Sequence, residues 1–488
     1  MQGKTSGKPD QKVIAEPFFL GRPASGNRTG LSFAACFSGL AVLILIPYAI
    51  YKYGAGFFWC ALGLFAGMTV VWKVLPYRMY RYSRKGERIR SFSDYVRIRF
   101  GKGSRVLSLV AAAAFTLFTL FFSVQLFRLG RDLFEAFFRR DDLWWIRVVS
   151  IFLLLPIIIL GFSLITGMGR PTAILILFAL ALPVIAIFKQ MGGSGIVRYT
   201  MMSGVPNTVS DYMNLLHYDG EPLTVATGIS LFVAGFLFAG LPVSFPFFAV
   251  LRHTRQVKRA RHAVFAWTLP VFVLSCFLGG ISRAYLYLEG EVNSPAAYAA
   301  ALFRSLRRGK LLAGTAAVIY AAALVAAFLL LLYFSFHRMI TEMTSIISWM
   351  DEKAPRKLGM GIAVSWALLV LAEFRMPELS WESVFFVIDF WACSAGPVMF
   401  SSIAIRKLST AAVTAGVLLG SLGMVLPELL PEAIFGSKLT FFFGPEGAGS
   451  EIFSLTLSFL GIILFTRLFP EKDKDVLTRF DEVKNRIG

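Results

Sequence analysis

Roughly a dozen long apolar stretches run along this chain, and the loops on one side of them are basic. No soluble fold can use that pattern: hydrophobic residues make up 56% of the sequence, charged residues only 16%, and phenylalanine alone fills 48 of 488 positions. A hydrocarbon layer roughly 30 Å thick is crossed by about 20 apolar residues in helical form, with every backbone polar group paired inside the helix. The pattern predicts an all-α membrane protein with about twelve transmembrane helices. Spans are expected at 31–50, 55–76, 106–127, 148–167, 171–189, 224–251, 263–282, 311–335, 358–373, 385–405, 411–431 and 451–469. The ninth is short, and the fourth and fifth are expected to meet at a tight turn through Gly167, Met168, Gly169, Arg170 and Pro171.

Twelve spans put both termini on one side. Lysine and arginine favour that side by roughly two to one, which makes both termini cytoplasmic in a multi-pass protein of the plasma (inner) membrane. The net charge of +20 follows from this rule and from contact with lipid, so the bilayer and not nucleic acid is the expected partner. The polar first thirty residues read as a cytoplasmic segment rather than a signal peptide. Cys36, Cys60, Cys276 and Cys393 all fall in apolar spans, as small buried hydrophobes do, with neither disulfide nor metal spacing. No P-loop, nucleophile elbow or metalloprotease motif occurs, so neither an ATP-driven pump nor an enzyme is expected, and no catalytic or metal residue is assigned.

Several local patterns recur in a fixed order. Tyr77-Arg78-Met79-Tyr80-Arg81-Tyr82-Ser83 is followed by Ser91-Phe92-Ser93-Asp94-Tyr95, by Arg99-Phe100-Gly101 and by Ser104-Arg105-Val106-Leu107 at the start of the third span. Upstream stands Phe18-Phe19-Leu20-Gly21-Arg22. Downstream stand Gly240-Leu241-Pro242, Ala260-Arg261, Ile340-Thr341-Glu342 and Gly396-Pro397. Together, over about residues 17–430, these resemble the sodium:solute symporter family, the group of sodium–proline and sodium–galactose symporters. The chain departs from the family in having no helix ahead of the first core span.

The resemblance implies a LeuT-type fold with a 5+5 inverted-repeat core: a first repeat at 31–189, an outer loop at 190–223, a second repeat at 224–405, two further helices within 406–469 and a cytoplasmic tail at 470–488. It also implies a site near mid-membrane where the first helix of each repeat is broken. The residues agree: span one carries Gly39 and Pro47, and span six carries Gly228, Gly235, Gly240, Pro242 and Pro246. Polar side chains able to line a solute pocket are few: Cys36, Ser38, Ser123, Gln125, Ser244 and Ser394. Gly39, Gly235 and Gly240 join them as positions where backbone can face a ligand. The phenylalanine runs read as lipid-facing or packing residues.

Sodium needs hard oxygen ligands in a small cage. The resemblance places two carbonyls of that cage at Ala35 and Ser38, and its pair of hydroxyls at Ala327 and Phe328, neither of which carries one. From Ala321 to Phe334 the sole hydroxyl is that of Tyr333. The acid of the proline symporter falls on Phe37. The usual sodium site is therefore expected to be degenerate, with no bound cofactor and with protons as an alternative coupling ion. Two charges are coupling candidates. Arg170 is either a fixed cation standing in the vacant cage or an ordinary inner-face arginine. Asp389, inside span ten, is either a proton carrier or a carboxylate paired with Arg283 or Arg375. The expected function is secondary transport of a small organic solute by rocking of spans one, two, six and seven. A transporter-like sensor or partner subunit that binds without transport, working with a separate partner chain, is the alternative.

Overall fold

The computed structural model describes residues 18–19, 24–84, 89–139, 152–193, 195, 212–238, 241, 244–251, 253–286, 292–347, 354–376, 381–429 and 449–485. The chain begins with α1 (Gly26–Tyr53), α2 (Phe58–Arg84), α3 (Phe92–Phe100), α4 (Arg105–Phe138), α5 (Leu155–Leu160) and α6 (Phe162–Gln190). A two-strand hairpin, β1 (His217–Tyr218) and β2 (Glu221–Pro222), leads to α7 (Val225–Phe238), α8 (Phe245–Ala249), α9 (Thr254–Tyr285) and α10 (Pro295–Arg307). The chain continues through α11 (Leu311–Ile347), α12 (Ala354–Arg375), α13 (Trp381–Ala404), α14 (Thr410–Leu429), α15 (Gly449–Leu468) and α16 (Lys474–Asn485). Among the described residues nine helices are long and apolar enough to cross a membrane, and shorter apolar helices cover Thr227–Leu237 and Leu358–Glu373.

One helix organises the rest. Of α1's most apolar window 83% is buried, against 22% for that of α15, so α1 runs through the interior while α15 presents leucine and phenylalanine outward. α1 packs against α6, α9 and α11, while α14 and α15 pair at one side with α13. Close crossings depend on glycine. Gly63 of α2 receives the carbonyl of Phe232, and Gly235 of α7 receives that of Cys60, so each helix admits the backbone of the other.

Two expected breaks fall elsewhere. α6 runs unbroken through Gly167, Gly169, Arg170 and Pro171, and the chain turns earlier, at Gly161, whose φ of 55° suits glycine. Gly169 serves close approach rather than a turn: a Cβ there would meet Ser32 of α1. Span one is not unwound either. It stays helical, but over Ala41–Leu45 it widens into a π-helical turn.

The face on which α1 begins and α2 and α13 end carries the basic loops, and is called the basic face below. There α3 is fixed at both ends. Its N-cap, Ser91, accepts from the Asp94 amide at 3.0 Å, and Gly101 (φ 69°) ends it. Buried Arg99 donates to the carbonyls of Ser402 (2.8 Å), Ile405 (2.9 Å) and Arg406 (3.3 Å), capping the C-terminal end of α13. Tyr95 and Ser402 hydroxyls lie 2.7 Å apart, and burial pushes the Tyr95 phenol above its ordinary pKa. The segment expected as a tail forms α16, which straps this face: Arg406 pairs with Asp481 at 2.6 Å, and Arg479 and Arg81 donate to the carbonyls of Ile98 and Val483. On the opposite face, Tyr212 donates to the Ile50 carbonyl at 2.7 Å and the Asp219 amide to that of Tyr53 at 2.9 Å, closing the hairpin segment over the end of α1.

Candidate solute and ion site

Proline 47 explains the irregular turn of α1. A proline has no N–H, so it cannot donate to the carbonyl four residues back, Leu43, nor, in π winding, to the one five back, Val42. Both carbonyls find donors on neighbouring helices. Tyr320 of α11 reaches Leu43 at 2.9 Å, and Ser275 of α9 reaches Val42 at 2.7 Å. The backbone freed in mid-membrane is thus satisfied by protein hydroxyls.

One turn toward the basic face lies a cavity of about 40 Å³, room for about three waters. Its walls are aromatic: Phe37 of α1, Phe118 and Phe122 of α4, and Phe334 of α11. Leu241, in the interruption between α7 and α8, and Leu331 close it. Trp391 of α13 backs the wall, its ring 5.5 Å from that of Phe118. The polar contribution is Thr119, Ser335 and Arg338. Thr119 donates to the Phe115 carbonyl, and the Ser123 and Ser335 hydroxyls lie 2.6 Å apart over the Thr119 carbonyl. Arg338 donates to the Arg90 carbonyl and to Glu342, both at 2.8 Å, and among the described residues its Nε has no partner. The chamber is apolar and, as it stands, sized for waters rather than for an organic solute, so a solute enters it only if the surrounding helices move apart.

The ion-site positions lie beside this chamber. A Cβ on Gly39 would stand 3.2 Å from both the Ala327 Cβ and the Ile176 Cδ1, so α1, α6 and α11 meet through hydrocarbon. Phe328 turns the other way, its ring against Gly130 of α4. Ala35 sits within the unbroken helix. The Ser38 carbonyl accepts from the Ala41 amide, and the Ser38 hydroxyl donates to the Ala34 carbonyl.

Other expected residues scatter. Cys36 is a buried free thiol. Among the described residues, Gln125 Nε2 and the Ser244 hydroxyl are buried without a partner, Ser244 directly before α8. Ser394 is turned from the chamber: it donates to Phe390 and meets Ser421 of α14 at 3.0 Å. Gly235 is occupied by the crossing with α2, and Gly240 lies outside the described residues. Arg170 is exposed, which removes it as a cation filling the ion position: its place in α6 points outward from the core. Asp389 is half-buried and, among the described residues, forms no salt bridge; the Arg283 guanidinium instead lies over the Tyr51 ring. The aromatic walls were missed because phenylalanine was read as packing. The spacing of Phe118 and Phe122, and of Phe334 and Arg338, one turn apart, was the available signal.

A bundle of membrane-length helices around an internal chamber, with one crossing helix interrupted beside it, defines a polytopic membrane transporter. The family profile described as "SSF: Sodium:solute symporter family" matches residues 18–335, and the chain belongs to that family, whose members are transporters and not enzymes. It is 24% identical over 448 residues to the sodium/proline symporter of Escherichia coli (strain K12), covering 86% of this chain and 85% of that one. It is 25% identical over 272 residues to the high-affinity proline transporter PutP of Bacillus subtilis (strain 168), covering 55% of each. Among solved structures, a Na+-coupled sialic acid symporter in a substrate-bound outward-open state superposes with a TM-score of 0.71 at 16% identity, covering 94% of this chain and 93% of that one. The nucleobase-cation-symport-1 transporter Mhp1, in a closed conformation, gives 0.57 at 14% identity, covering 95% and 97%. The shared fold is that of the LeuT-type transporters.

Proposed function

We propose that this protein carries a small organic solute across the plasma membrane by alternating access, independently of the family's usual sodium site. The chamber between α1, α4, the α7–α8 interruption and α11 is the observation that carries the reading. The twelve spans, with 31–189 and 224–405 as inverted repeats and the basic face in the cytoplasm, accord with the charge bias. Family membership implies sodium as co-substrate. Against it here, Gly39, Ile176 and Ala327 meet where the cage belongs, and an ion placed among hydrocarbon without oxygen ligands is costly. The relatives' names make proline the first solute to test. Among the described residues the chamber wall carries no acidic side chain to pair with its ammonium group, which favours solutes lacking one.

Reconstituted into proteoliposomes, the protein should exchange at least one labelled solute from a panel of proline, sugars, monocarboxylates and neutral heterocycles, with rates in sodium and choline agreeing within about twofold. A rate rising tenfold or more with sodium would restore ordinary symport. Saturable binding with no exchange would leave the sensor reading, with its separate partner chain, in place. Asp389 is the proposed proton site, because it is a carboxyl inside a span that, among the described residues, forms no salt bridge. Asp389→Asn should abolish pH-dependent uptake and spare exchange; pH dependence that survives the change removes Asp389 from the mechanism.

A further inference from the structure

Phe18 and Phe19 precede α1 and lie outside every membrane-length helix, yet they are only 8% and 2% exposed. The Phe18 carbonyl accepts from His337 Nε2 at 3.0 Å, and its ring lies 5.3 Å from that imidazole. The two phenyl rings meet edge-on at 5.4 Å, and the Arg90 guanidinium covers Phe19 at 5.1 Å. Phe162 packs on the same imidazole at 5.5 Å. Gly161 completes the seat: its φ is positive, and the Phe18 backbone occupies the space a Cβ would need. Groups on α11, at the start of α6 and ahead of α3 thus hold two residues of the leading segment.

These groups adjoin one wall of the chamber through a single residue. Arg338 follows His337 and lines the cavity, and it donates to the carbonyl of Arg90. The Phe18–Phe19 pair therefore sits on the basic-face side of Arg338. Its own chain runs on to Ala24, bridged to Leu251 just beyond α8, and then into α1. Seated, it ties the near halves of α1 and of span six to α11 and α6.

We infer that Phe18 and Phe19 form a latch that holds the chamber shut on the basic face and must withdraw before solute passes to that side. The inference rests on the alternating-access reading, but its test does not need the solute. With the native cysteines replaced by alanine and Ser335→Cys as the reporter, labelling by a membrane-impermeant thiol reagent is measured in inside-out and right-side-out vesicles. Phe18→Ala with Phe19→Ala should raise labelling from the basic face about tenfold, one decade lost from the closed population. His337→Ala, which removes the hydrogen bond and the imidazole but leaves the two phenyl rings, should move it in the same direction by less. Unchanged labelling in monodisperse protein overturns the latch, as does an equal rise from both faces, which would report general loosening. Faster labelling in a protein that exchanges no solute keeps the latch and removes the transport reading. Unchanged labelling in one that does exchange removes the latch alone.

Discussion

Glu342→Ala should lower stability by about 3–5 kcal/mol, the largest loss expected from any single side-chain truncation near the chamber. Glu342 and Arg338 are 1% and 2% exposed and pair at 2.8 Å. The carboxylate also accepts from the Phe92 amide at 3.1 Å and the Ser93 hydroxyl at 2.8 Å, so it caps the first turn of α3 from another helix. Truncation leaves the buried Arg338 guanidinium without its counter-charge and the Phe92 amide without its acceptor, although Arg338 keeps the Arg90 carbonyl and Ser93 keeps Ser91. The thermal midpoint of purified protein in detergent reads the loss. Replacing both partners, Arg338→Met with Glu342→Leu, should recover most of it, because no charge is then left alone. A single-variant midpoint within a degree of the parent would mean that the pair contributes nothing to holding α3.

Gly63→Val should prevent assembly of the fold. At the α2–α7 crossing the Phe232 carbonyl occupies the place of any Cβ on Gly63, and the Cys60 carbonyl does the same at Gly235. Both obstacles are backbone, so neither can swing aside as a side chain would; the helices must separate, losing contact along a long interface. Overpacking of this kind costs about 3 kcal/mol or more. Gly314→Ala in α11 is the control, since nothing lies within 4 Å of its Cβ position, and its stability should stay within about 1 kcal/mol of the parent. Size-exclusion profiles of the detergent extract separate the two: an aggregated Gly63 variant beside a monodisperse Gly314 variant is expected. A monodisperse Gly63→Val protein would show that the crossing tolerates a wider spacing.

The membrane helices could be read from the sequence because lipid leaves a backbone few choices, and the apolar length of each span carries that constraint locally. The family could be read because Phe18-Phe19, Arg99-Phe100 and Ile340-Thr341-Glu342 are residues whose side chains or backbone clasp distant elements. What each of them clasps is long-range and was invisible. The chamber was misjudged for a related reason: whether Phe118 faces lipid or α11 depends on packing that composition does not encode. The turn was misplaced because Gly167, Gly169 and Pro171 resemble a turn signal, whereas Gly169 makes room for Ser32 and the isolated Gly161 carries the positive φ. Ser394 looked available because its hydroxyl lies inside a span, yet α14 supplied Ser421 as its partner.

The widened turn of α1 also bears on how this chain is compared with its relatives. A π-helical turn is what a single inserted residue leaves in an α-helix that keeps its ends in place. Against a relative whose first helix has no such insertion, the two halves of α1 are offset by one position. Counting back from Pro47 across Ala41–Leu45 then stops one residue short, and the positions to compare with the relative's ion-site carbonyls are Ala34 and Phe37 rather than Ala35 and Ser38. Phe37 is also a wall of the chamber. In that frame one inserted residue brings a phenylalanine both to the position compared with a sodium ligand and to the wall of the chamber, so that one substitution at Phe37 would bear on coupling and on specificity together.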